Sequence, residues 1–132
     1  MQNVVVGYTP TPQGLSALEY AIGVAQRESA KLTLVNSGIR GNDADPSFAE
    51  ASELDAIAAR LGTLGIEHEI RQSPQAVSPA DEVLQVASEL AADLIVIGLR
   101  RRSPVGKLFL GSSSQQIILD AECPVVAVKA KA

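Results

Sequence analysis

The stretch Asp93-Leu-Ile-Val-Ile-Gly98-Leu-Arg-Arg-Arg-Ser-Pro-Val-Gly-Lys-Leu-Phe-Leu-Gly111-Ser-Ser-Ser-Gln115 decides the fold. Leu94 to Ile97 is the most apolar run in the chain and reads as a strand buried on both faces. Gly98 to Leu110 reads as loop, Gly111 to Asp120 as a helix, and Val125 to Val128 as a further strand. The same alternation extends back to the amino terminus. Val4, Val5 and Val6 form a β-branched run in a strand over 3–8, followed by a helix from about Gln13 to Glu28. Its apolar positions Leu15, Leu18, Ile22 and Ala25 recur at helical spacing. Leu32 to Val35 is the second strand. Asp45-Pro46 caps a second helix that runs to about Leu64 on a stripe of Phe48, Leu54, Ile57, Ala58 and Leu61, with Gly65 closing it. Ile66 to Arg71 alternates apolar and charged residues, as a half-exposed edge strand does. Ser78-Pro79 opens a third helix through Val83, Leu84, Val86, Ala87 and Leu90.

Strands alternating with helices imply a single α/β domain over 1–132: an open five-stranded parallel sheet with right-handed crossovers and helices on both faces. The expected strand order is 3-2-1-4-5. The order then reverses between the strand at 3–8 and the strand at 93–97, and a ligand crevice belongs at the carboxyl ends of those strands. Gly7 to Pro12 and Gly98 to Ser114 face each other there.

Composition narrows the function. The 132 residues are 46% hydrophobic and 20% charged, ordinary for a soluble domain of one core. Aromatics are only 3%, with no Trp, so stacking platforms for single-stranded nucleic acid are scarce. A net charge of −4 removes any general attraction to nucleic acid or to an anionic membrane. The single cysteine, Cys123, excludes an intrachain disulfide and is expected as a buried thiol at a strand entry. No signal peptide or membrane-spanning run is read, and the expectation is a cytoplasmic protein.

Against that acidic background, Arg100, Arg101, Arg102 and Lys107 stand together, and no acid lies between Asp93 and Asp120. The loop leads into Gly111-Ser112-Ser113-Ser114 at a helix start, where free N–H groups and the helix dipole favour an anion. Each feature alone is ordinary capping or a solvated loop. Together they describe a phosphate cradle. The lone histidine, His68, lies between two glutamates on an edge strand and suits a surface role better than a metal site. Asp43, Asp45, Glu50, Glu53 and Asp55 are explained by the dipole of the second helix. No metal site and no catalytic residue is assigned.

These residues resemble the universal stress proteins. Nucleotide-binding members carry Gly-x2-Gly-x9-Gly-Ser/Thr between the fourth strand and the last helix, and Gly98 and Gly111-Ser112 match its first and final positions. Asp93 to Gly98, Cys123-Pro-Val-Val-Ala-Val-Lys129 and Ala17-Leu18 are also similar to the family. The resemblance implies an adenine nucleotide alpha-hydrolase-like fold. It implies ATP or another adenine nucleotide as ligand, with or without Mg2+, and a stress-response regulator or sensor with at most weak ATP hydrolysis. Carried over by position, Gly7, Tyr8 and Thr9 flank the nucleoside, and Ser37 borders the base. Gly98 and Arg100 line ribose and phosphates, while Gly111, Ser112, Ser113 and Ser114 hold the phosphates. Arg101 and Lys107 join them on charge alone.

Two positions depart from the pattern. Arg101 stands at the second glycine, where it either obstructs the ligand or substitutes a guanidinium contact to phosphate. Thr9 stands where strand one usually ends in aspartate, removing a carboxylate acceptor. A dimeric interaction protein that has lost nucleotide binding, and a slow phosphohydrolase, therefore remain as alternatives. The resemblance also implies a homodimer through Val125 to Val128, an apolar edge that pairing would cover.

Overall fold

The computed structural model describes residues 1–37, 49–72, 78–101 and 108–130. Among them, five parallel strands are β1 (Asn3–Gly7), β2 (Lys31–Asn36), β3 (His68–Gln72), β4 (Leu94–Arg101) and β6 (Val125–Lys129). A two-residue strand, β5 (Leu108–Phe109), pairs antiparallel with the end of β4. The parallel order is β3-β2-β1-β4-β6, the 3-2-1-4-5 arrangement expected from sequence. Helices α1 (Pro12–Glu28), α2 (Ala51–Thr63), α3 (Pro79–Leu90) and α4 (Ser112–Asp120) connect the strands.

Successive residues of a strand face opposite sides, and the central strands are apolar on both. Val4 and Val6 of β1, with Leu94 and Val96 of β4, pack with Leu18 and Ile22 of α1 and Leu54, Ile57 and Leu61 of α2. Val5, Ile95 and Ile97 point the other way, onto Ala80, Val83 and Val86 of α3 and Ile117 of α4. Fully burying one such aliphatic side chain contributes about 1.5–3 kcal/mol, so these two layers dominate stability.

Several local expectations are corrected. The first helix begins at Pro12, with Thr11 as its N-cap, and Leu15 is half exposed while Gly14 takes the buried position. In the third strand Ile66 is buried but precedes the ladder, which starts at His68. His68 is half-buried rather than exposed, its Nδ1 2.8 Å from the Ile66 carbonyl oxygen. Ser78 and Pro79 do begin α3, yet the Ser78 side chain makes no capping bond. Gly98 to Leu110 is not all loop. β4 continues to Arg101 because β6 runs beside it, pairing Gly98 with Val128 and Leu99 with Lys129, and β5 then folds back on Arg100 and Arg101. The Asp45-Pro46 cap and Phe48 lie outside the described residues.

Candidate functional site

The carboxyl ends of β1 and β4 lie side by side along the carboxyl edge of the sheet. After β1 the chain folds back at once into α1. Thr11 Oγ1 accepts from the Gly14 amide at 3.1 Å, and the Thr11 amide donates to the Thr9 carbonyl at 2.8 Å. This turn leaves no room at Gly14, where a Cβ would sit 1.9 Å from the Thr9 carbonyl oxygen. The first turn of α1 also presses on β4. A Cβ on Gly98 would stand 2.3 Å from the Gln13 carbonyl oxygen, so glycine is required by close backbone approach.

A cleft of about 260 Å³ opens at the ends of these two strands. Gly7, Tyr8, Thr9, Ser37, Gly98, Arg100, Gly111, Ser113 and Ser114 line it, nine of the positions expected from sequence. Ser112 is exposed at the first position of α4 and does not line the cleft. Lys107, and the side chain of Arg101, lie outside what the structure describes. The sequence reading missed Gln13 and Gly14, and an apolar wall of Val35, Val83, Ile97 and Ile117 with Pro79. Gly14 carried a usable signal, since a glycine inside the first turn of an amphipathic helix sacrifices propensity and implies a close approach. The apolar wall carried none, because core and cleft residues of this kind look alike in sequence.

The cleft's polar groups differ in how far they are occupied. Thr9 Oγ1 shares a 2.7 Å hydrogen bond with Thr11 Oγ1. The Tyr8 hydroxyl donates to Glu53 Oε2 of α2 at 2.6 Å, away from the cleft. Burial, reinforced by the Glu53 carboxylate, pushes that phenol's pKa well above its ordinary value. Tyr8 therefore borders the cleft without offering its hydroxyl. Its backbone is fixed by Asn36, which is fully buried. Asn36 Nδ2 donates to the Tyr8 carbonyl at 2.9 Å, while Oδ1 accepts from the Ala49 amide at 3.0 Å and from Gln72 Nε2 at 2.9 Å.

Ser37 is different. It is 5% exposed, and its Oγ is a buried polar atom without a hydrogen-bond partner among the described residues. An unpaired buried hydroxyl costs about 1–3 kcal/mol, so its place on a cleft wall points to a ligand group. On the opposite side α4 begins with Gly111 as N-cap and no side chain capping its amides. Arg100, exposed, is the one charged residue of the lining among the described residues, which contribute no acid to it. Donors and positive potential therefore meet an apolar wall, a combination suited to a flat heterocycle carrying an anionic group.

A model of the universal stress protein family matches residues 1–129. The chain belongs to the universal stress protein family. A universal stress protein of Mycolicibacterium smegmatis is 40% identical over 96% of both chains. The solved universal stress protein of Archaeoglobus fulgidus is 31% identical, covers 98% of each chain and superposes with a TM-score of 0.76. Another Archaeoglobus fulgidus universal stress protein, solved in complex with dAMP, is 23% identical over 98% of each chain, with a TM-score of 0.67, and shares the fold. Of the two departures, Thr9 lines the cleft. Thr9 meets Thr11 instead of presenting a carboxylate, and Arg101 lies on the β4 extension that pairs with Leu108.

Proposed function

We propose that this universal stress protein is a cytoplasmic regulator or sensor that binds an adenine nucleotide in the β1/β4 cleft. The base stacks against Val35, Val83 and Ile97 and meets the Ser37 hydroxyl. The phosphates lie over the amides and hydroxyls of Ser113 and Ser114, with Arg100 adding charge. The single observation that carries this reading is the orphaned Ser37 hydroxyl in the wall of a cleft whose far side is an uncapped helix start. The relative in complex with dAMP supports the ligand class. Mg2+ would arrive with the phosphates, since among the described residues the lining offers hydroxyls and no carboxylate to hold it.

Among the described residues the lining holds no histidine or acid placed as a general base, which favours binding over turnover in this reading. A second copy would pair along β6, whose outer edge has no partner strand among the described residues. Among the described residues no helix is long and apolar enough to cross a membrane.

The second reading, an interaction protein without nucleotide, draws on the Thr9–Thr11 pair, which ties up the hydroxyl at the end of β1. Thermal melting separates the two. At a hundredfold excess over Kd, AMP, ADP or ATP should add about 2.7 kcal/mol, a melting shift on the order of 10 °C. No shift with any of the three, with and without magnesium, would favour the interaction protein. Light scattering tests the dimer, and a monomer mass at micromolar concentration would remove it.

A further inference from the structure

At the opposite pole of the molecule lies a second cavity, of about 350 Å³, between the carboxyl-terminal ends of α3 and α4 and the start of β4. Both helices precede parallel strands of one sheet, so they run side by side in the same direction, with their starts at the cleft and their ends here. At the cleft end they are held together, Gln116 Nε2 donating to Asp81 Oδ1 at 2.8 Å. At the far end Ala87, Ala91, Ala92 and Ala121 face a space that larger side chains would have filled. Leu84 and Ile95 complete an apolar floor, which Cys123 joins as a half-buried thiol where sequence led to a buried one.

The rim has one sign. Asp120 and Glu122 stand exposed on it, and among the described residues the lining contains no Lys, Arg or His. Each helix ends here with the negative pole of its dipole. α1 and α2 carry Arg27 and Arg60 in their last turns, whereas α3 and α4 carry no basic residue there. The Cys123 thiol registers the same field: burial raises its pKa first, and the Asp93 and Glu122 charges raise it further.

We propose that this cavity binds a small organic cation, an ammonium group on a short aliphatic body, with the alkyl chain on Leu84, Ala87 and Ile95 and the ammonium between Asp120 and Glu122. The volume lies within the range of small-molecule sites, about 300–1,000 Å³. The charge complement chooses a cation over a neutral or anionic guest of the same shape. The site is separate from the nucleotide cleft and does not depend on it.

The test is titration of the full-length ¹⁵N-labelled protein with n-butylammonium chloride, followed by amide chemical shifts. The controls are 1-butanol, sodium butyrate and KCl at matched ionic strength. Saturable shifts at Ala91, Ala92, Ala121, Glu122 and Cys123 are expected with n-butylammonium only. The paired substitutions Asp120→Asn and Glu122→Gln, both on exposed rim positions, should weaken binding by about tenfold. Ala121→Leu should abolish it by filling the space, with melting unchanged or raised. Equal response to 1-butanol, or absence of saturation at about 100 mM (a dissociation constant too weak for specific capture), would overturn the proposal. Retention of full affinity in the rim variant would do the same.

Discussion

At the residue scale, Ser37 and Gly98 make opposite demands. Ser37→Ala removes a buried hydroxyl that has no partner among the described residues. The variant should be as stable as the wild type or more stable by about 1 kcal/mol in urea unfolding, while its affinity for AMP falls by about tenfold. A loss of stability at unchanged affinity would show that the hydroxyl serves the fold. Gly98→Ala should do harm through the backbone, because its Cβ meets the Gln13 carbonyl oxygen at 2.3 Å. A cost of about 3 kcal/mol is expected from overpacking, read from the same unfolding curves, and near-neutrality would contradict the close approach. Much of the cleft was legible at this scale, because Gly98, Gly111, Ser113 and Ser114 carry a spacing and a chemistry. Gly14 could have been read the same way. The role of Tyr8 could not, since only the three-dimensional path of β1 sends its hydroxyl to Glu53.

At the element scale, one polar side chain fixes the start of β1. Asp93 Oδ2 accepts from the Gln2 and Asn3 amides at 2.7 and 2.9 Å and so fixes the start of β1 beside β4. Those hydrogen bonds hold its carboxyl below the usual range. A depressed carboxyl stabilises the fold fully above its unfolded pKa, about 3.9, and loses that contribution as pH falls through the lower folded value. The urea midpoints of wild type and Asp93→Asn should therefore differ by a constant amount above about pH 5 and converge as pH falls through the lowered folded value. A gap that persists in acid would contradict the assignment.

The strands and helices were legible because β1, β2 and β4 are apolar on both faces and the helices show a 3.6-residue period. The β4 extension and β5 were not. They lie beyond the buried part of the sheet and include Arg100 and Arg101, so hydropathy there reads as loop although the ladder with β6 and β5 continues.

At the scale of the whole molecule, the same two parallel helices give the protein two unlike ends. Their starts, with Arg100, face the cleft, and their ends, with Asp120 and Glu122, face the second cavity. The net charge of −4 conceals this division. Binding of AMP should weaken as salt is raised, because Arg100 is exposed and its attraction for the phosphate is open to screening. Calorimetry across a salt series checks this, and affinity independent of ionic strength would place the phosphate outside the Arg100 and α4 field.

A crystal structure grown with saturating AMP tests the central claim most directly. The base is expected against Val35 and Ser37, with the phosphate over the Ser113 and Ser114 amides at the start of α4. A vacant β1/β4 cleft, or AMP held elsewhere on the molecule, would contradict it.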